Sequence, residues 1–399
     1  MRIFISTGEV SGDLQGALLI EALKRQAVAL MSEGFLRSIP KTSKEYRVEI
    51  IALGGDRMAS AGAQLLGNTT AIGSVGIWES LPYVLPTFVL QWKTKQYLRQ
   101  NPPDLVVLLD YPGPNLSIGA FCRRYLPQVP IVYYIAPQTW VWSAHGYAYR
   151  ETAQIVKITD LLLAIFPEEG RYFAEHGAKV TWVGHPLIDR METFPSRSQA
   201  RTALGIDPGK KAIALIPASR RQELKYLMPV MFGAAKMIQS QLTDVQFWIP
   251  LSREEFREPI QRAIGHYGLQ ATISSQTEEV LAAADLAITK SGTVNLEIAL
   301  LDVPQVVIYR VSPITAFIAR KLLKFSIPFM SPPNLVDMKQ IVPEFLQEEA
   351  TPEAIVSAGM DLLANPVRQQ MLADYQQMRQ SLGEPGVADR TAIAILGLL

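Results

Sequence analysis

The strongest constraint in this 399-residue chain is a recurring unit: a short apolar run, then a turn rich in Gly, Pro, Asp or Ser, then a helical stretch. Apolar runs without polar alternation mark strands covered on both faces, as in parallel sheets flanked by helices. In the first half these runs are Ile3–Ser6, Val48–Leu53, Leu105–Asp110, Ile131–Ile135, Leu161–Ile165 and Val180–Val183, with a helix predicted over Leu14–Leu30. After a polar, helical stretch over Asp189–Pro208, a second series runs Ala212–Ile216, Val245–Ile249, Ala271–Ile273, Leu286–Ile288 and Gln305–Tyr309. This alternation predicts an α/β protein with two Rossmann-like domains, their parallel sheets facing a central cleft. The expected boundaries are 1–190, 191–365 and a helical segment 366–399 that crosses back to the first domain. Ser32–Tyr46, rich in Lys, Ser and Arg, reads as a surface insertion.

Composition narrows the chemistry. A chain of this length exceeds what one core usually serves. The formal net charge is +1, so nothing in bulk electrostatics favours nucleic acid. One cysteine, Cys122, excludes an internal disulfide, and four histidines beside it leave little for a zinc site. No metal site is expected from these counts. The most apolar windows, Leu105–Leu109 and Leu161–Phe166, are strand length, far below the ~20 residues of a spanning helix. The expectation is a protein of the reducing cytoplasm that is not integral to a membrane.

Four segments carry candidate chemistry, because ligands of open α/β sheets bind outside the carboxyl ends of the strands. Thr7-Gly8-Glu9-Val10-Ser11-Gly12-Asp13 follows the first strand. It reads either as a capped turn or as polar groups (Glu9, Ser11, Gly12) that hold a sugar or acceptor. Asp110-Tyr111-Pro112-Gly113-Pro114-Asn115 places a carboxylate at a buried strand's tip. Asp110 is there either a general base for a hydroxyl or the cap of the next turn. Pro217-Ala218-Ser219-Arg220-Arg221-Gln222-Glu223 offers an Arg to a diphosphate, or simply starts a surface helix. Ser291-Gly292-Thr293, with Glu297 about one helical turn on, combines an anion-binding helix start with a carboxylate suited to ribose hydroxyls. The alternative is a plain hydroxyl cap. His185, in Gly184-His185-Pro186, sits just past a strand on the cleft side.

Taken in order, these segments resemble the lipid-A-disaccharide synthase family, inverting glycosyltransferases with two Rossmann-like domains (GT-B type). The resemblance also rests on Ala136-Pro137-x-x-Trp140-x-Trp142, Phe166-Pro167, Pro333-Asn334-Leu335 and Leu346-Gln347-Glu348, and it spans nearly the whole chain. Departures include Ser143-Ala144-His145-Gly146-Tyr147 before Arg150, and Glu168 where the family usually has Phe. The resemblance implies condensation of UDP-2,3-diacylglucosamine with 2,3-diacylglucosamine 1-phosphate (lipid X) into a β-1,6 disaccharide 1-phosphate plus UDP. It implies Asp110 as catalytic base, with Arg220, Glu297 and Asn334 contacting the nucleotide or otherwise essential, and no organic cofactor. The full expected substrate-binding set is Glu9, Ser11, Gly12, Asn115, His185, Ser219, Arg220, Glu223, Ser291, Gly292, Thr293, Glu297 and Asn334. The alternatives are a transferase to another lipid, a UDP-N-acetylglucosamine 2-epimerase, or a non-catalytic binding module.

A lipid substrate calls for an apolar patch near the cleft. Trp78, Leu81, Tyr83, Val84, Leu85, Phe88, Val89, Leu90 and Trp92, followed by Lys93, Lys95 and Arg99, form one candidate. Phe317, Ile318, Leu322, Leu323 and Phe325, alternating with Arg320, Lys321 and Lys324, form another. Each is either a membrane-contacting surface or a core helix with basic ends. The expected location is peripheral, on the inner face of the cytoplasmic membrane; a homo-oligomer is left open.

Overall fold

The computed structural model describes residues 1–8, 10–32, 48–70, 77–137, 141, 146–219, 221–312 and 329–399. The chain divides into two units, Met1–Asp189 with Leu382–Leu399, and Arg190–Ser381. The first contains β1 (Arg2–Ser6), β2 (Glu49–Gly54), β3 (Gln64–Asn68), β4 (Leu105–Leu109), β5 (Ile131–Tyr134), β6 (Leu161–Ala164) and β7 (Val180–Trp182). They form one parallel sheet in the order β3-β2-β1-β4-β5-β6-β7. All five residues of β4 are buried, as its unbroken Leu-Val-Val-Leu-Leu requires of a central strand. The edge strand β3 has no such run. Gln64-Leu65-Leu66-Gly67-Asn68 is polar at its ends, half-exposed, and shifted in register between Ala52 and Leu53 of its neighbour β2.

The second unit contains β8 (Lys211–Ile216), β9 (Val245–Pro250), β10 (Ala271–Ser274), β11 (Leu286–Lys290), β12 (Gln305–Tyr309) and β13 (Glu344–Leu346). All pairs are parallel, in the order β10-β9-β8-β11-β12-β13. Each sheet thus carries the doubly wound order 3-2-1-4-5-6, which reverses beside its first strand. Those reversals lie between β1 and β4 in one unit and between β8 and β11 in the other. All four candidate segments follow one of these four strands.

The end of the chain is divided between the units. The helix Asn365–Leu382 packs in the second: the buried Tyr375 hydroxyl donates to Val303 O (3.3 Å) and accepts from Gln305 Nε2 (3.1 Å). From Leu382 onward the chain belongs to the first unit. His185 N–H donates to Leu382 O at 2.8 Å, and Gly184, at φ +91°, lets the two backbones meet where a Cβ would stand 3.0 Å from that oxygen. Asp189 then caps the helix Val387–Leu396, accepting from the N–H groups of Gly386 (2.7 Å), Val387 (3.0 Å) and Ala388 (2.9 Å). Asp189→Ala is expected to cost about 1–2 kcal/mol. It should speed amide exchange and proteolysis in that helix before the rest of the unit; unchanged exchange there would exclude the cap.

Candidate active site

In the first unit the chain leaves β4 through two consecutive non-glycine residues in left-handed conformation, Asp110 (φ 50°) and Tyr111 (φ 47°). Such a pair is costly and persists only where its surroundings fix it. Asn115 does so. It is fully buried, and its Nδ2 reaches the carbonyls of Asp110 (2.7 Å), Leu109 (3.1 Å) and Ser6 (3.3 Å). The Tyr133 hydroxyl adds a bond to Asp110 O at 3.0 Å, and Asp110 N–H donates to Tyr134 O at 3.2 Å. The Asp110 backbone is therefore held at donor and acceptor, and its half-buried side chain leaves the strand at the β1/β4 switch point.

The loop after β1 closes the other side. The ring of Tyr111 lies where a Cβ on Gly8 would be, 2.1 Å from its Cδ1. Gly12 is buried against Thr7, whose Oγ1 would stand 1.9 Å from an added Cβ. Its place is thus one of close helix–strand approach, while Ser11 is exposed on the first turn of the helix Val10–Ser32. Asp13 does not cap its own helix. Its buried carboxylate accepts from Gly55 N (2.7 Å), Met58 N (3.1 Å) and Arg57 N (3.2 Å), capping the short helix Asp56–Ser60 instead. Glu9 lies outside the described residues.

Behind Asp110 sits a buried carboxyl that sequence reasoning did not select. Glu169 accepts from the N–H groups of Ile165 (2.8 Å), Ala136 (3.1 Å) and Phe166 (3.2 Å). Burial pushes it from an ordinary 4.5 up to about 7 despite those donors, and the Asp110 charge adds to the rise. His185 is buried beside the Phe166 ring (centroids 5.1 Å apart), and its Nδ1 accepts from Leu187 N–H at 3.2 Å, which leaves the proton of the neutral ring on Nε2. Burial pushes that imidazole from 6.5 down to about 4.

The two groups have opposite linkage. Glu169, raised in the folded state, adds stability that is whole below about pH 4.5 and gone above about pH 7. His185, depressed, adds stability that is whole above about pH 6.5 and gone below about pH 4. Glu169→Gln leaves only the second slope. Its melting temperature is expected to fall from pH 6.5 to pH 4 more steeply than that of the parent. Parallel curves would show that Glu169 does not titrate there.

In the second unit the loops after β8 and β11 stand side by side. Glu223 Oε2 accepts from Ser219 N (2.6 Å) and Ser219 Oγ (3.2 Å), and Lys290 Nζ lies 3.8 Å from Oε1. These contacts tie the end of β8 to the end of β11. Ser291 Oγ donates to Met330 O at 2.6 Å, and Gly292 N–H to Asn295 Oδ1 at 2.8 Å. Thr293 opens the helix Val294–Leu300 with helical φ and no side-chain cap. Among the described residues no acceptor meets the N–H of Thr293 or Val294, as expected of the first turn of a helix.

Glu297, mostly buried, pairs through Oε1 with Arg190 Nη1 at 2.5 Å, while Arg190 Nη2 reaches Glu278 at 3.2 Å. Burial pushes its carboxyl upward; Arg190 opposes that rise and Glu278 adds to it. Asn334 is fully buried, its amide spent on Ile341 N (2.6 Å), Val342 N (2.8 Å) and Val342 O (3.0 Å). Arg220 lies outside the described residues. Arg190 gave no sequence signal, because its partner Glu297 is 107 positions away.

Two doubly wound sheets, each with polar loops gathered at its switch point, define the architecture of nucleotide-sugar transferases and epimerases. Solved structures share it. A UDP-GlcNAc 2-epimerase from Neisseria meningitidis bound to UDP-GlcNAc matches with TM-score 0.61 at 12% identity, over 100% of both chains. CalG4, the calicheamicin glycosyltransferase, matches with TM-score 0.57 at 15% identity, over 100% of this chain and 98% of its own. The family model described as lipid-A-disaccharide synthetase matches residues 3–396. The lipid-A-disaccharide synthase of Gloeothece citriformis (strain PCC 7424) is 58% identical over 398 residues, 99% of each chain. That of Synechocystis sp. is 52% identical, over 99% of this chain and 97% of its own. The chain belongs to the lipid-A-disaccharide synthase family of glycosyltransferases.

Proposed function

We propose that the chain condenses UDP-2,3-diacylglucosamine with lipid X, forming a β-1,6 disaccharide 1-phosphate and releasing UDP with inversion at the donor's anomeric carbon. The observation that carries this reading is the placement of Asp110 at the β1/β4 switch point, its backbone fixed in an unfavourable conformation. Strain of this kind is retained where a side chain must be aimed. In the proposed reaction the Asp110 carboxylate takes the proton of the acceptor's 6-hydroxyl as that oxygen attacks the donor's C1. The new C–O bond forms on the face opposite the breaking C1–O bond to UDP. UDP departs with the bonding pair, and the proton on Asp110 then passes to solvent.

The second unit supplies the nucleotide contacts in this reading. The unpartnered N–H groups of Thr293 and Val294, with Arg220 at its family position, meet the diphosphate. Glu297 accepts the ribose hydroxyls, with Arg190 favouring its ionised form. Ser219, Glu223, Ser291 and Gly292 build that loop pair. Asn115, Asn334 and Gly12 act by holding the loops in place, Asn115 and Asn334 through amides bound to backbone groups. Glu9, Ser11 and His185 belong to the acceptor side.

A lipid acceptor needs an interface with the bilayer. On the helix Ile77–Gln100, Leu85 (75% exposed), Phe88 (73%), Val89 (49%) and Trp92 (58%) form a stripe at helical spacing. Their exposure supports an interface rather than a core helix at these four residues. The side chains of Trp78, Leu81, Tyr83 and Val84, and the whole 317–325 patch, lie outside the described residues, as do 33–46 of the expected insertion. Among the described residues no helix is long and apolar enough to cross a membrane. A peripheral position on the inner face of the cytoplasmic membrane follows from this reading. Phe88→Ser with Trp92→Ser is expected to weaken binding to anionic vesicles by more than about tenfold, since each large side chain buried contributes roughly 1.5–3 kcal/mol. Vesicle sedimentation measures it, and unchanged binding would remove the stripe from the interface.

The reaction is tested by following UDP. Release that requires both the diacyl donor and lipid X supports the transferase. Conversion of UDP-N-acetylglucosamine to its 2-epimer without any acceptor supports the epimerase reading instead.

A further inference from the structure

We infer that the groove between the helices Pro112–Tyr125 and Gly146–Ile158 is a subsite for an anionic acyl lipid, taking one acyl chain along its length and the lipid's phosphate at Arg150. Identification of that lipid as the acceptor rests on the function proposed above. The groove has a volume of about 950 Å³, within the range of small-molecule sites. Gly113, Leu116 and Ala120 line one wall and Arg150, Gln154 and Ile158 the other, each set recurring at helical spacing. The first helix leaves space open at its small residues Gly113, Ser117 and Ala120. Nothing lies within 4 Å of a Cβ added at Gly113, and Ala120 is exposed.

Direction follows from topology. Each helix follows the carboxyl end of its strand, the first by three positions and the second by twelve, and β4 and β5 are parallel neighbours. The helices therefore run side by side in the same sense, with Gly113 and Arg150 at the end nearer Asp110. From Gly113 to Arg124 the first helix extends about 16 Å at 1.5 Å per residue, long enough for a fatty acyl chain.

Charge selects the class of ligand. The groove holds four cationic side chains, Arg123, Arg124, Arg150 and Lys157, against one carboxyl, Glu151, which burial pushes upward. Arg123 is engaged by Asp160 and by Ile158 O, and Arg124 lies over the Tyr125 ring. Arg150 and Lys157 make no hydrogen bond or ion pair among the described residues. A free guanidinium at the mouth of a largely apolar channel suits an amphiphile with a phosphate head, and Arg binds phosphate in two-point fashion.

Ala120→Trp and Gln154→Trp each place an indole in the groove from an exposed position, and Arg150→Ala removes the cation. Calorimetric titration with detergent-dispersed lipid X, its dephosphorylated form and its deacylated form (glucosamine 1-phosphate) reads the result. Each Trp variant is expected to raise the Kd for lipid X at least about tenfold, leaving the Kd for the deacylated compound unchanged. Arg150→Ala should raise it about tenfold for lipid X and not for the dephosphorylated lipid. UDP affinity and melting temperature should stay at parental values, which reports folding. Parental lipid affinity in all three variants, or none in the parent, overturns the groove. A parent that binds lipid X through these residues but forms no disaccharide overturns the reaction and leaves the groove standing.

Discussion

Asp110→Asn is expected to lower disaccharide formation by about 10²–10⁴-fold while UDP affinity and melting temperature stay at parental values. Asn is the informative replacement because position 110 has φ 50°. Asn tolerates the left-handed region nearly as well as Asp, whereas Ala there would add backbone strain to the lost base. Asn keeps the side chain's size and removes only its basicity. Single-turnover transfer rates and UDP titration separate the two effects. Retention of more than about a tenth of the parental rate would remove Asp110 from proton transfer, since a positioned base contributes at least about 10². Loss of UDP affinity in parallel would make the residue structural.

Asn115→Asp is expected to be the most destabilising single-atom change in the first unit, at about 3–4 kcal/mol. The Asn115 amide nitrogen faces three carbonyl oxygens, those of Ser6, Leu109 and Asp110, in a fully buried position. Asp replaces the donor with an acceptor that is either charged in a dry site or protonated with a single hydrogen to share. The three carbonyls then lose the Asn115 donor, with the Tyr133 hydroxyl still on Asp110 O, and the left-handed pair at 110 and 111 loses most of its clamp. For a unit of this size the melting temperature should fall by roughly 6–15 °C. Scanning calorimetry reads that shift directly. A shift below about 2 °C would mean that backbone bonds alone hold the loop. Activity should fall further than the loss of folded protein explains, because the proposed base, Asp110, is no longer aimed.

What the sequence made legible follows from where its information is local. The central strands declare themselves because burial on both faces demands unbroken apolar runs, as in Leu105–Leu109 and Leu286–Ile288. β3 and β13 do not, because neither carries such a run: Gln64–Asn68 is polar at its ends, and Glu344–Leu346 is three residues long and only half-buried. The switch-point loops were legible as polar turns after those strands. Their internal division of labour was not. Asn115, Asn334 and Asp13 look like ligand-binding or capping groups in the sequence, yet each spends its side chain on backbone groups that folding brings close. Asp13 lies 42 positions from Gly55, and Arg190 lies 107 from Glu297, beyond the reach of any periodicity. Glu169 was masked by its setting after Phe166-Pro167, where an acidic residue reads as an ordinary first-turn helix residue.

The most direct measurement is the structure of the product formed by the purified protein from UDP-2,3-diacylglucosamine and lipid X, by mass spectrometry and anomeric proton coupling. The account predicts a tetraacyl disaccharide 1-phosphate carrying a new β linkage, with one UDP released per disaccharide. An α linkage would contradict inversion, and an unchanged acceptor beside epimerised or hydrolysed donor would contradict transfer altogether.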